Sequence, residues 1–358
     1  MKKHRPAQPA QAISQTLAYE ADVVEGLEAI AADEIRRLFA SRAQVKPSRK
    51  GAVPFTYSGD FRDLHSLKTV QAVYRVSQFQ IPRPKALLGD TNIRIVINTI
   101  KNIVNLNLSR YQTLHISAAG SESSVMQRLR ETITRQTGLK SDPDEGDLLL
   151  RIRRTPDANS GWDVLTRITP RPLATRAWRI CNYEGALNAT VAHAMVLMTQ
   201  PHPSDLYVNI GAGSGTLLIE RAAWGRASVI LGVDRSEEAL TCTQDNIHAV
   251  TLNQPLRLCQ GDVRQLPLPP RYADVLTADL PFGQLVGSHR ENAALYPTLL
   301  SEAARIAKPD ARFVLITHEV RLMETLLSEQ TDWELHKQQM ITLRGLHPRI
   351  YVLRRQVD

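Results

Sequence analysis

Residues that could do chemistry are concentrated in the second half of the chain. They are a glycine-rich turn with Gly211, Gly213 and Gly215, single acids at Asp234 and Asp262, and the run Asp279-Leu280-Pro281-Phe282-Gly283. The turn lies in DLYVNIGAGSGTLLIERAAW, which reads as strand, turn and helix. Glycine at alternate positions lets the backbone bend sharply and brings the free N–H groups of a helix N-terminus against a ligand. Asp234 ends the next apolar run, 19 residues after Gly215, where a carboxylate can take both hydroxyls of a ribose. Asp262 ends the third run in GDV, within reach of an adenine amino group. The turn is GxGxG with Thr216 following, not GxGxxG. A pyrophosphate dinucleotide needs the later glycine and a cofactor without phosphates does not, so the spacing favours S-adenosylmethionine over NAD without deciding between them.

The run from Asp279 to Phe282 ends the fourth apolar strand, at the edge where a doubly wound sheet lines its ligand crevice. A carboxylate or its neighbouring carbonyl can accept hydrogen bonds from an exocyclic amine, Pro281 stiffens the turn, and Phe282 can stack on a planar base. An aromatic amine is a weak nucleophile because its lone pair is delocalised into the ring. Accepting its N–H bonds favours a more tetrahedral nitrogen and aims the lone pair at a sulfonium methyl. The expected reaction is direct in-line methyl transfer, with no covalent enzyme intermediate and no metal.

Five apolar runs, DLYVNI, ASVILGVD, LRLCQGD, ADVLTADLP and RFVLITH, must position these residues. Continuous apolar strands separated by helices imply a parallel sheet covered on both faces. WELHKQQMITLR and RIYVLRR, a short turn apart, should close it as an antiparallel hairpin. Upstream, YEADVVEGLEAIAADEIRRLFA places Val24, Leu27, Ile30, Ala31, Ile35 and Leu38 at helical spacing. GAVPFTYSG follows as a strand, DFRDLHSLKTVQAV as a helix capped by Asp60, and YRVSQFQI as a strand. The stretch from 86 to 170 reads helix, strand, helix, strand, strand, and TPRPLATRAWR as a linker. No sequence repeat is apparent.

Composition bounds the function. With 358 residues, 43% hydrophobic and 22% charged, the chain is neither wholly disordered nor a membrane-spanning body, and two or three domains are expected. Cys181, Cys242 and Cys259 cannot build a disulfide scaffold and form no CxxC pair, so a reducing, cytoplasmic setting without a cysteine-built metal site is expected. The net charge of +8 is uneven: residues 1–180 carry +11 and residues 181–358 carry −3. A basic half joined to a mildly acidic one fits a polyanion-gripping part tethered to a part that does something else. The ten histidines show no metal spacing. His289 and His347 read as loop and turn residues, Met195 and Met198 as core, and Asp274 points to no chemistry.

On these residues the chain resembles the THUMP-domain RNA methyltransferases that modify the N2 amine of guanine in tRNA. EGLEAIAADEI resembles the start of the family's N-terminal ferredoxin-like domain, and LLLRIRRT with WDVLTRITPRPLATRAWR resembles the end of its THUMP domain and linker. EGALNATVAHAMV resembles the helix before the cofactor loop, DLPFGQLVGSHRENAALYPTLLSEAARI the branch acting on acceptor-stem guanines, and GLHPRIYVLRR the terminal hairpin. The Pro/Gln/Ala-rich composition of 1–16 reads as a mobile tail, and the resemblance implies a ferredoxin-like domain over 17–85, a THUMP RNA-binding domain over 86–170, a linker over 171–185, and a Rossmann-like methyltransferase domain over 186–358. It implies S-adenosylmethionine held by Asn209, Gly211, Ala212, Gly213, Gly215, Thr216, Asp234, Arg235, Asp262, Val263 and Asp279, with catalysis by Asp279, Leu280, Pro281 and Phe282. Many members have Asp at the position of Asn209 and Pro at that of Leu280. THUMP domains are implicated in holding the end of a tRNA, which makes Arg151, Arg153, Arg154, Arg167, Arg171, Arg176 and Arg179 candidate RNA contacts and calls for flipping of a stem guanine. Neither DNA nor a membrane is an expected partner. An rRNA guanine methyltransferase, a DNA or protein methyltransferase, a catalytically silent RNA-binding protein and an NAD-dependent reductase, which the DLPFG run does not explain, are the rival readings, and the sequence does not reveal whether a helper subunit is needed.

Overall fold

The computed structural model describes residues 16–105, 110–156, 160–281, 289–343 and 345–356. Except for Thr16, the tail expected over 1–16 lies outside them, as does Phe282.

Among the described residues of the first half, eight strands form one sheet: β1 (Leu17–Val23), β2 (Ala43–Val45), β3 (Ala52–Tyr57), β4 (Val70–Phe79), β5 (Thr113–Ala118), β6 (Lys140–Ser141), β7 (Leu148–Arg154) and β8 (Trp162–Arg167). Their order is β2-β3-β1-β4-β8-β7-β5-β6, so the sheet runs unbroken past residue 85 through the antiparallel pairing of β4 with β8. Helices α1 (Glu28–Phe39), α2 (Asp90–Val104) and α3 (Ser124–Thr137) bury their apolar stripes against the sheet in a single cluster that includes Ile35, Ile97, Leu129 and Leu150. Ser123 caps α3, accepting from the Met126 amide, and Gly138 ends it at φ +77°.

Two expected helices are corrected. The stretch from Tyr19 read as one helix begins in strand β1, turns at Gly26 with φ +95°, and becomes helical only at Glu28. A Cβ at residue 26 would lie 2.2 Å from the Met340 carbonyl oxygen, so only glycine fits there. The helical spacing misled because Val24 and Leu27 are buried in a different core from Ile35. The second expected helix is only the 3₁₀ segment Phe61–Ser66. Asp60 does cap it, accepting from the Arg62 amide, but β4 starts at Val70.

In the second half the described elements are α4 (Ala189–Met198), β9 (Leu206–Ile210), α5 (Thr216–Trp224), β10 (Val229–Asp234), α6 (Glu237–His248), β11 (Arg257–Gln260), β12 (Ala273–Asp279), α7 (His289–Ile306), β13 (Ala307–Thr317), α8 (Val320–Glu329), β14 (Trp333–Met340) and β15 (Arg349–Arg355). The seven strands are ordered β11-β10-β9-β12-β13-β15-β14, the first five parallel and the last two antiparallel. From β9 the chain moves outward through β10 and β11, then returns to the other side of β9 as β12. This strand-order reversal opens a crevice at the carboxyl ends of β9 and β12.

The halves share a core. Val24 and Leu27 pack with Val191, Met195, Ile316, Ile341 and Ile350, and the Thr342 amide donates to the Glu25 carbonyl at 3.0 Å. Beside this core runs a closed polar circuit of buried groups. Glu34 of α1 accepts the Lys68 and Thr69 amides at 3.0 and 2.9 Å and lies 4.0 Å from His193 Nε2. His193 Nδ1 is 2.9 Å from Glu220, and Glu220 accepts Arg176 Nε at 2.7 Å. Arg176 then donates to the Lys68 carbonyl at 2.7 Å, closing the ring. Burial alone would raise the Glu220 carboxyl, but the His193 hydrogen bond and the Arg176 charge outweigh it and hold the group below its usual range.

Candidate cofactor and acceptor site

The glycine turn sits at the carboxyl end of β9. Gly211, Gly213 and Gly215 have φ of +69°, +55° and +78°, a region L side chains rarely adopt. The three glycines do different work. A Cβ at Gly211 or Gly213 would meet nothing within 4 Å, whereas one at Gly215 would lie 2.7 Å from the Thr243 side chain of α6. The first two therefore line open space and the third lets α6 pack close. The turn is held from behind: Gly211 and Ala212 donate to the Val233 carbonyl at 2.9 and 3.0 Å, and Thr243 and Asn246 donate to the carbonyls of Gly213 and Ser214. Gly215 offers α5 no side-chain cap, which leaves its first N–H groups facing the turn.

Asp234 ends β10 as expected. Its Oδ2 accepts the Gly213 amide at 2.9 Å and its Oδ1 the Ser236 amide at 2.9 Å, so it fixes the turn while each oxygen keeps a second lone pair for a ribose hydroxyl. Asn209 is buried and donates to the Thr277 carbonyl at 3.1 Å, while its Oδ1 has no partner among the described residues. Asp262 is gripped by Arg264 through both side chain and amide, and this holds its carboxyl down at about 2. Val263 packs partly buried against the main core of this half, Ala212 and Thr216 are buried, and Arg235 is exposed.

Across the strand-order reversal, Asp279 closes β12. Burial pushes its carboxyl up to about 7, and it has no hydrogen-bond partner among the described residues. Leu280 is buried and its amide donates to the Ile316 carbonyl at 3.0 Å. The Pro281 carbonyl accepts from Tyr296 Oη at 2.7 Å and Asn292 Nδ2 at 3.1 Å, two α7 residues that sequence reasoning missed. Their only signal was their position in the sequence, 10 and 14 residues beyond Phe282 of the acceptor-like motif. The open space over Gly211 and Gly213, the unpaired Asn209 Oδ1 and the two ribose-ready acceptors of Asp234 fit the adenosyl and amino-acid parts of S-adenosylmethionine.

The candidate RNA arginines divide. Arg167 donates to the carbonyls of Thr169, Gly146 and Pro170, Arg176 belongs to the buried circuit, and Arg179 donates to Leu187 O and Thr216 Oγ1. These three are corrected: their donors are turned inward. Arg151 pairs with Asp22 and lies over the Tyr74 ring, and Arg153 pairs with Glu20, each partly exposed. Arg154 and Arg171 are exposed.

The cysteine expectation also changes, because Cys181 of the linker and Cys242 of α6 are joined as a disulfide while Cys259 is free. Beside this bridge a cavity of about 460 Å³ lies against α6, lined by Tyr183, Glu237 and Asp245 and by none of the expected site residues. His289 bonds Glu319, Met195 is core, and Asp274 accepts the Leu206 amide and Lys308. Among the described residues no cluster of His, Cys, Asp and Glu could hold a metal, and no helix is long and apolar enough to cross a membrane.

A doubly wound sheet with an open glycine turn facing a desolvated carboxyl across its switch point defines the class: an α/β domain of the methyltransferase fold. Residues 176–349 match the family model described as UPF0020, the RMKL-like methyltransferase domain. Over 183 residues it is 30% identical to the mouse tRNA (guanine(6)-N(2))-methyltransferase THUMP3, covering 47% of this chain and only 36% of that protein. It aligns over 94% of its length with 99% of the tRNA (guanine(6)-N2)-methyltransferase of Methanocaldococcus jannaschii, at 22% identity. Its fold matches the crystal structure of TrmN from Thermus thermophilus with a TM-score of 0.76 and 20% identity, over 95% of this chain and all of the other.

Proposed function

We propose that the chain methylates the exocyclic N2 amine of a guanine in the acceptor stem of tRNA, using S-adenosylmethionine. The observation that carries this reading is Asp279: a carboxyl raised to about 7, without a partner among the described residues, across the crevice from an open glycine turn. When bound, the cofactor supplies an electrophilic methyl on sulfonium. Asp234 would hold its ribose and the Gly211–Gly213 backbone would approach it closely. Asn209 would offer its unpaired Oδ1 to the cofactor's amino group, a task usually given to Asp in the family, and Asp262 and Val263 would flank the adenine. Ionised Asp279 and the Leu280 carbonyl would accept the two N–H bonds of the guanine amine, aim its lone pair in line and stabilise the charge that develops on nitrogen. Phe282 is proposed to stack on the flipped base.

The domain reading is part of the proposal, with a ferredoxin-like unit over 17–85 and a THUMP unit over 86–170 built on the shared sheet. With three linker and β8 arginines turned inward, the RNA grip shifts towards Arg154, Arg171 and the helical side of the sheet. Arg83, Lys85, Arg94, Lys101, Arg128 and Arg135 are exposed there and form no ion pair among the described residues, on adjoining segments that touch one another. Phosphates would meet these heads without first breaking an internal bond.

The test is to incubate the protein with isotope-labelled cofactor and total tRNA, digest the RNA, and locate the labelled nucleoside by mass spectrometry. The expected product is N2-methylguanosine from one acceptor-stem position. Label in rRNA alone would favour the rRNA reading, and cofactor binding without transfer to any RNA would refute the enzymatic one.

A further inference from the structure

We propose that Tyr296 and Asn292 are positioning residues of the acceptor turn, acting together on the Pro281 carbonyl to set the direction of Asp279 and the Leu280 carbonyl. The inference rests on the function proposed above and deepens it. Neither residue touches substrate; each acts through a peptide that does.

The hydrogen bonds around Tyr296 have one consistent direction. Its hydroxyl has a single hydrogen, which the Pro281 carbonyl takes at 2.7 Å. Thr317 Oγ1, 2.8 Å from the same hydroxyl, must then be the donor to it. Thr317 Oγ1 in turn accepts the Glu319 amide at 3.0 Å. A relay thus runs from the amide after β13, through a buried threonine and tyrosine, to the peptide after β12. Pro281 has no N–H of its own, so its carbonyl is the only backbone handle on that residue.

Asn292 supplies the second bond, and its other end shows why it is there. The residue is 1% exposed, yet its Oδ1 has no partner among the described residues. A buried unpaired oxygen counts against the fold, and leucine at this place would avoid it. Stability therefore does not account for Asn292, whereas its donor to Pro281 does. With Leu280 already tied to Ile316, two donors on Pro281 leave the turn one orientation. A preformed acceptor of this kind does not have to reorganise during transfer.

The test uses Tyr296→Phe, which removes the hydroxyl and keeps the ring, and Asn292→Leu. Each should lower kcat about tenfold while the KM for tRNA and the cofactor Kd stay within twofold, and Asn292→Leu should unfold at the same urea concentration as wild type or higher. Because both act through one carbonyl, the double variant should be no more than about twofold slower than the slower single one. Exchange of the Leu280 amide, which needs no substrate, should quicken about tenfold in each. Wild-type kcat in both variants, loss of kcat in step with cofactor affinity, or unchanged Leu280 exchange would overturn the proposal. A wild-type protein that transfers nothing to tRNA, but whose variants still loosen Leu280, would refute the function and not the positioning.

Discussion

Replacing Asp279 by Asn separates the stability of the acceptor carboxyl from its use. Burial moves its titration from 3.8 to about 7, so the folded protein holds this proton roughly three pH units longer than the unfolded chain. At about 1.4 kcal/mol per pH unit, the ionised carboxyl disfavours the native state by up to about 4 kcal/mol at pH 8. Because Asp279 is only partly closed off from solvent, about 2 kcal/mol is the expected size. The sign follows from proton counting: the native state binds more protons between pH 4 and 7, so wild-type stability falls across that window and is level above it. The amide has no such term. Asp279→Asn should match wild type near pH 4 and exceed it by about 2 kcal/mol at pH 8, read as the shift of one urea transition across a pH series without cofactor. In the same window wild-type turnover should rise with pH and level off above about 7, and the variant should lose about a hundredfold or more at every pH. A stability gap independent of pH, or a variant weaker than wild type at pH 8, would show that the carboxyl is not desolvated and would remove the basis for the acceptor role.

Three further outcomes follow from particular contacts. Gly213→Ala should cost about 1–2 kcal/mol of backbone strain and weaken cofactor binding in calorimetry at least tenfold, whereas Gly215→Ala, facing Thr243 at 2.7 Å, should lower the urea midpoint more; equal effects on both quantities would contradict the division of labour among the glycines. Glu220→Gln leaves Arg176 and His193 buried with less counter-charge and should destabilise the protein by about 3 kcal/mol, while a loss under about 1 kcal/mol would mean the circuit is not holding the halves together. Replacing Arg94, Lys101 and Arg128 together by Ala should flatten the salt dependence of tRNA binding by up to about three in log–log slope, and an unchanged slope would place the RNA elsewhere.

The second half was legible because parallel strands buried on both faces must be written as continuous apolar runs, and because a tight turn at positive φ must be glycine. Asp234 and Asp279 could be found from strand ends alone. Elsewhere local pattern and tertiary use diverge. Val24 and Leu27 carry helical spacing with Ile35, yet they serve the core between the halves, and Gly26 is needed because Met340 approaches it from more than 300 residues away. Arginines in a basic stretch look alike in sequence, and only the fold reveals that Arg167 meets backbone carbonyls and Arg176 meets Glu220. Asn292 carried no signal beyond its place after the acceptor motif, since its meaning depends on one bond made and one left unmade.

The fate of Arg176 bears on how the proposed function could work. A linker arginine that gripped RNA would leave the two halves free to move, with the phosphate chain itself setting the distance to the pocket. Instead Arg176 joins the Lys68 carbonyl to Glu220 on α5, the helix whose first residue, Thr216, also bonds Arg179. The same connection passes through His193 and Glu34 back to the Lys68 amide, beside an apolar core shared by α1, α4 and the last strands. Moving the basic half relative to the glycine turn would therefore strip several buried charges of their partners at once, which is far costlier than bending an exposed linker. On the proposed function, the spacing between an RNA end held on the first half and a base presented to Asp279 would then be a property of the protein, and the stem would have to supply the base that fits it.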